Sequence, residues 1–318
     1  MKEYINQGNK DTRSGFGAGL LEAGRLNEKV VAMAADVTGS VKMDAFAAEF
    51  PDRFFQCGIA EANMVSMAAG MAIGGYIPFI GAFANFATAR ILDQIRQSVC
   101  YSKTNVKIAG SHAGITLGED GATHQTMEDV GIMRMLPGMT VLCPCDYNQT
   151  VAATIAAAQW NGPLYLRFGR PSVPNFTEAG APLQIGKAQK LSDGQDITIL
   201  AYGHLVWEAI QAAKVLEEKG IGVDLFNVHT IKPLDTEAVK ESAAKTGRVV
   251  VAEEHLIAGG LSEAVAGILA RTNPVPMRFV AVDDRFGQSG KPAELMSKYG
   301  LDSEHILSAA LELLNGRF

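Results

Sequence analysis

Cys57-Gly-Ile-Ala-Glu-Ala-Asn-Met-Val-Ser66 lies between an apolar pair, Phe54-Phe55, and a small-residue helix expected from Met64 to Ile73. Glu61 is the only charge between Arg53 and Arg90, in a chain whose charged content is 19%. Its neighbours are Ala, Gly, Met, Val, Ile and Phe. A carboxylate in such surroundings is poorly hydrated, which suits it to donate a hydrogen bond or share a proton with a basic ring nitrogen. A Glu in the first turn of a helix also has a plain explanation, because the helix dipole favours negative charge there. These residues alone leave both readings open.

Strands and helices alternate on either side of this stretch. Helices are expected from Asp11 to about Gly24, near Met43 to Phe50, and over Ala87–Tyr101, Gln125–Leu136 and Asn148–Trp160. Strands fit Val30–Asp36, Phe54–Cys57, Pro78–Phe83, Val106–Ser111, Thr140–Cys143 and Leu164–Phe168. Pro171–Lys190, with Pro171, Pro174, Pro182 and two glycines, reads as a linker. The alternation then restarts with strands at Ile197–Ala201, Val223–Asn227, Arg248–Glu253 and Met277–Val282. Helices fit Leu205–Lys219, Thr236–Thr246 and about Gly260–Arg271, with two more after Lys291 and Asp302. The expected fold is α/β: two domains, each a mostly parallel sheet flanked by helices. Expected boundaries are 1–172, a linker at 173–190, and 191–318. Ligands of such sheets gather beyond the carboxyl ends of strands, where Asp36, Phe83, His112 and Arg167–Arg170 fall.

The totals are compatible with this plan. The chain has 318 residues and is 47% hydrophobic, with 33 glycines. A net charge of -6 gives no electrostatic case for nucleic acid, although a local basic pocket can still take an anionic substrate. Met1-Lys-Glu-Tyr-Ile-Asn-Gln is too polar for a secretory leader, and the apolar runs stop short of a membrane span. The four cysteines form no disulfide framework, and Cys143-Pro-Cys145 reads as buried thiols in a strand rather than a metal site. A cytoplasmic location is expected.

Three further clusters carry chemistry. Phe83 and Phe86 stand where a strand hands over to a helix, placed to flank a flat heterocycle or simply to pack the core. Leu117-Gly-Glu-Asp-Gly-Ala-Thr-His-Gln125 reads as a tight loop whose Thr123, His124 and Gln125 open a helix. Asp120, His124 and His112 supply acceptors for sugar hydroxyls and a proton shuttle near a carbonyl. Arg13, Ser40 and Arg170 sit at helix starts or strand ends on the same edge, and arginine forks suit a phosphate dianion.

Together, Gly58-Ile-Ala-Glu61, Gly81-Ala-Phe-Ala-Asn-Phe86 and the Leu117–Gln125 loop resemble the pyrimidine-binding half of a transketolase. Glu253-Glu254-His255, Gly259-Gly260-Leu-Ser and Asp284-Arg-Phe-Gly-Gln-Ser289 resemble the carboxy-terminal domain of that family. The resemblance implies ketol transfer between sugar phosphates with thiamine diphosphate. It assigns Glu61 to the aminopyrimidine ring, Phe86 to stacking with Phe83 beside it, and Asp36 to the cofactor's neighbourhood. It assigns Asp120 to a donor hydroxyl and His124 to the reacting carbon. Arg13, Ser40, His112 and Arg170 fall to the phosphate end. Arg167-Phe-Gly-Arg-Pro171 departs from the family's Arg-x-Ser-Arg-Pro, since Gly169 replaces the Ser, which leaves Arg167 and Arg170 as rivals for phosphate. His204 and His229 receive no role, and the Glu253–His255 cluster is expected to be structural, packing its domain into a dimer.

The family's Gly-Asp-Gly with its downstream Asn, which holds the cofactor diphosphate through Mg²⁺ or Ca²⁺, is missing, so no residue here is assigned to metal. A split enzyme follows, with a separate N-terminal-section subunit supplying that domain and self-association into a dimer or heterotetramer. Competing readings are a deoxyxylulose-phosphate synthase-like enzyme, a 2-oxoacid dehydrogenase beta subunit, and a transketolase specialised for an unusual sugar. A non-catalytic partner protein would have lost Glu61, Asp120 or His124, and all three are kept.

Overall fold

The computed structural model describes residues 2–316. A short strand β1 (Asn9–Asp11) leads into α1 (Thr12–Leu26), β2 (Val30–Ala34), α2 (Asp44–Glu49) and β3 (Phe54–Gln56). Then come α3 (Glu61–Ile73), β4 (Ile77–Phe83), α4 (Ala84–Ala87), α5 (Leu92–Gln94) and β5 (Lys107–Ser111). The first half continues with α6 (Asp129–Met135), β6 (Thr140–Leu142), α7 (Tyr147–Gln159), β7 (Leu164–Arg167) and β8 (Ser172–Pro174). The second half holds β9 (Gln189–Lys190), β10 (Ile197–Ala201), α8 (Leu205–Glu218), β11 (Val223–Asn227), β12 (Thr230–Lys232) and α9 (Thr236–Thr246). It ends with β13 (Val249–Leu256), α10 (Leu261–Leu269), β14 (Met277–Val282), α11 (Pro292–Lys298) and α12 (Ser303–Leu314).

Two mostly parallel sheets result, as the alternation requires. The larger runs β12-β6-β7-β5-β4-β2-β3 and the smaller β14-β13-β10-β11-β9. Within these two sheets, among the described residues, only the edge strands β12 and β9 are antiparallel to their neighbours. The central strands β2, β5, β7, β10 and β11 are buried along their whole length, as sheets covered on both faces demand. No helix among the described residues is long and apolar enough to cross a membrane.

The structure departs from the expected elements in four places. The helix expected over Ala87–Tyr101 is broken. Thr88 donates its hydroxyl to the Ala84 carbonyl at 2.7 Å and takes a non-helical backbone, and a π-helical segment follows at Ile95–Tyr101. The helix expected at Gln125 begins only at Asp129, because Gly114 N–H bonds Thr126 O at 2.9 Å and Gln125 Nε2 bonds the carbonyls of Ile115, Gly118 and Gln288. The 171–190 segment carries β8, which pairs with β1, and β9, which joins the second sheet. Finally, β12 crosses over to pair with β6 of the first sheet. The core is likewise shared: one buried cluster contains Met33, Ile108 and Tyr165 together with Leu200, Tyr202 and Phe226.

Helix α1 is held against α7 by close backbone approach. A Cβ at Gly15 would lie 2.6 Å from Tyr147 O, and one at Gly19 would lie 2.7 Å from Thr154 Cβ. Asp11 caps the helix by accepting from Ser14 N–H at 2.9 Å. The cap and the helix crossing together set where Arg13 stands.

Candidate active site

The parallel strands β2, β3, β4, β5 and β7 end on one edge, and the expected site residues follow those ends. Asp36 and His112 leave their strands in the left-handed region, both at φ 59°, a cost borne at each chain reversal. Glu61 opens α3 and is 5% exposed.

Glu61 is not surrounded by apolar groups alone. Arg90 Nη1 donates to Glu61 Oε1 at 3.1 Å, and the same guanidinium lies 4.0 Å over the Phe86 ring. Sequence reasoning missed Arg90, although it is the charge that closes the long uncharged interval after Glu61. Phe83 and Phe86 face each other where β4 hands over to α4. Their rings are nearly parallel, 16° apart, with centroids 6.1 Å from one another. A ring sandwiched between them would need about 7 Å, two contact distances of ~3.5 Å. Phe83 instead stacks on His112 at 4.0 Å, and His124 sets its ring 5.3 Å from Phe86. Glu61, Arg90, Phe86, His124, Phe83 and His112 therefore form one continuous line.

At its far end stand the cations. Arg13 Nη1 contacts His112 Nε2 at 3.4 Å and donates to the Ser40 carbonyl at 3.2 Å. Since a guanidinium only donates, His112 Nε2 accepts, and Nδ1 donates to Ser111 Oγ at 2.8 Å. Burial, reinforced by Arg13 and Arg170, pushes the His112 pKa down to about 3, so this imidazole is neutral at physiological pH. Burial also lowers the Arg13 pKa, with Arg170 acting in the same direction against Asp11. Arg170 Nη1 donates to Leu117 O at 2.8 Å and to Glu119 at 2.9 Å. Arg167 is 5% exposed and donates to Asp129 at 2.8 Å and to Glu254 O at 2.9 Å. Of the two rivals, Arg167 is engaged inside the protein and Arg170 faces the edge.

The remaining residues are less connected. The Asp36 and Asp120 side chains are exposed and make no hydrogen bond or ion pair among the described residues, and Ser40 meets Arg13 through its carbonyl only. Thr123 and His124 do not open a helix. They sit in a turn pinned by Asn85 Nδ2 to Thr123 O at 2.8 Å, with Thr123 Oγ1 3.0 Å from His124 Nδ1.

The Glu253–His255 cluster works within this chain. Glu253 caps α10 by accepting from the N–H groups of Leu261 and Ser262. Glu254 accepts from Thr116 N–H at 2.8 Å, and His255 Nε2 accepts from Gly131 N–H. His229 is buried with its pKa pushed down to about 4 by desolvation. Among the described residues no three His, Cys, Asp or Glu stand together as ligands for a metal ion. All four cysteines are free thiols.

Residues 9–175 match the family model for the transketolase pyrimidine binding domain, and residues 186–306 match that for the transketolase C-terminal domain. The chain belongs to the transketolase family, which implies thiamine diphosphate as cofactor. Within the family it is similar to proteins of its own length. A putative transketolase C-terminal section of Methanocaldococcus jannaschii is 44% identical over 95% of this chain and 96% of its own. A 6-deoxy-6-sulfo-D-fructose transketolase subunit of Clostridium sp. is 44% identical over 92% and 91%. An apulose-4-phosphate transketolase subunit of Phocaeicola vulgatus is 40% identical over 95% and 97%. A solved structure titled as a split gene transketolase, inactive beta4 tetramer, superimposes with a TM-score of 0.89 at 41% identity, over 98% of this chain and all of the other.

Proposed function

We propose that this chain is one subunit of a split transketolase, moving a two-carbon ketol unit between sugar phosphates with thiamine diphosphate. The observation that carries the reading is the unbroken line from buried Glu61 through Arg90, Phe86, His124 and Phe83 to the His112–Arg13 contact, in a member of this family.

The residues present fit the pyrimidine half of the cofactor. Arg90 fixes Glu61 Oε1, and Oε2 has no hydrogen-bond partner among the described residues, so it is available to a ring nitrogen. Phe86 offers an apolar edge beside that carboxylate. When bound, the cofactor supplies the nucleophilic carbon that carries the two-carbon unit. Glu61 shares a proton with the ring. His124 moves a proton at the sugar's carbonyl oxygen, and Asp120 accepts from a hydroxyl. Arg13 and Arg170 bind the phosphate oxygens, with Ser40 beside them. His112, its Nε2 lone pair turned to Arg13, orients that guanidinium.

The diphosphate and its Mg²⁺ or Ca²⁺ are assigned to a partner, the N-terminal-section subunit. The names of the relatives support this: one is a C-terminal section and two are subunits. Self-association is supported by apolar side chains left open on and beside the Glu61 helix, with Ile59 and Ile73 each 77% exposed and Met67 41%. A second reading, a transketolase specialised for an unusual sugar, is favoured by the relatives named for sulfofructose and apulose phosphate. In that case the cationic cluster takes a terminal sulfonate or phosphate.

The test is reconstitution with the partner section, thiamine diphosphate and Mg²⁺, assayed on xylulose 5-phosphate plus ribose 5-phosphate and on the two unusual sugars. Transfer should appear only with both chains. Full activity of this chain by itself overturns the split assignment.

A further inference from the structure

Two second-domain side chains lie directly beneath the turns that carry the cationic cluster. His204, its side chain 9% exposed, packs its ring against the backbone of Gly169, so closely that a Cβ there would collide with the ring carbon Cε1. Gly169 is the residue before Arg170, and any larger residue there would have to move the turn or the histidine. The Gly169 backbone is also tied to Thr12, whose hydroxyl accepts from Gly169 N–H at 3.1 Å and faces Gly169 O at 3.2 Å. Thr12 in turn precedes Arg13.

The second side chain is Glu254, on β13 and 2% exposed. Its carboxylate fills the space beside Gly114 and accepts from Thr116 N–H at 2.8 Å. It thereby fixes the segment that leaves His112 and runs to Leu117, whose carbonyl receives Arg170 at 2.8 Å. Glu254 Oε2 lies 3.7 Å from His204 Nδ1, an atom with no hydrogen bond of its own, so the two side chains form one buried pair. Arg13, His112 and Arg170 come from three distant segments: the pair touches the backbone of the two that carry His112 and Arg170, and the Thr12 hydroxyl ties the Arg170 turn to the residue before Arg13.

We infer that Glu254 and His204 are positioning residues for the anion-binding set, so that the second domain governs affinity for the charged end of the sugar. The inference rests on the proposed assignment of Arg13, His112 and Arg170 to that end. Neither residue touches substrate. Each acts by holding a turn, and displacing binding groups by about 1 Å costs up to a hundredfold.

The experiment uses the complex with its partner subunit, glycolaldehyde as an unphosphorylated acceptor, and xylulose 5-phosphate or free xylulose as donor. Glu254→Ala and His204→Ala should each raise KM for xylulose 5-phosphate about tenfold. They should leave its kcat, and kcat/KM for xylulose, within about twofold. Glu254→Gln keeps an oxygen for Thr116 N–H and should restore the wild-type KM. Equal losses on both donors, no change on either, or a tenfold rise in Glu254→Gln overturns the inference. Should an alanine variant fail to fold, the Glu254→Gln result and the remaining variant still decide. Arg170→Ala is the reference. If it leaves the preference for the phosphorylated donor intact, the anion-site assignment itself falls. If it abolishes that preference while the two alanine variants retain it, only the positioning role falls.

Discussion

Arg90 makes Glu61 half of an ion pair, and this changes how a variant at 61 should behave. In Glu61→Gln the amide oxygen still accepts from Arg90, so the buried position stays satisfied and the fold should hold. What is lost is an acidic group able to share a proton with a ring nitrogen. The assembled enzyme should therefore lose at least about a hundredfold in ketol transfer, the scale of general acid–base contributions. Unchanged circular dichroism with that loss supports the role, and an unaltered rate removes Glu61 from the mechanism. The residue scale also shows where sequence reading reached its limit. Glu61, Phe86 and His124 were legible because each stands in a local motif. Arg90, Asn85 and Glu254 were not, because their partners lie 29, 38 and 138 residues away.

Helix α1 illustrates how an element can carry a binding residue to its place without touching ligand. Gly15→Ala would gain about 1 kcal/mol in helix propensity. The new Cβ would, however, sit 2.6 Å from the Tyr147 carbonyl, a backbone atom that cannot swing aside. Overpacking of this kind costs about 1–3 kcal/mol, so the clash should win. Because α1 begins with Thr12-Arg13, relief by sliding the helix also displaces the guanidinium. The expected outcome is a lower urea midpoint together with a raised KM for phosphorylated donor. The broken 87–101 segment makes the complementary point: the sequence reads as one helix, but the Thr88 hydroxyl bonds the Ala84 carbonyl and the chain turns.

Across the whole molecule, buried histidines set an acid limit. Desolvation takes His229 down to about 4, and desolvation with Arg13 and Arg170 takes His112 to about 3, from an ordinary 6.5. Above pH 6.5 folded and unfolded chains are both neutral at these positions, and their stabilising contribution is complete. As pH falls from 6.5 towards 4, only the unfolded state takes up the protons, so stability drops throughout that window. The thermal midpoint should fall by about 5 °C or more between pH 7 and pH 5. His229→Asn should flatten that slope, and an identical slope in the variant refutes the attribution. The two domains should melt together, since they share β12 and one core cluster.

Alternating buried strands and amphipathic helices determined the α/β class and the two parallel sheets, because hydrophobic periodicity is a property of local sequence. The motifs around Glu61 and Leu117–Gln125 likewise belonged to the sequence. Only the tertiary structure decided that Arg167 is spent on Asp129 while Arg170 faces the edge, that Phe83 pairs with His112, and that the second domain underlies the cationic cluster. These outcomes depend on which groups meet after the chain has closed on itself, and contacts across such separations leave no periodic trace in the residues that make them.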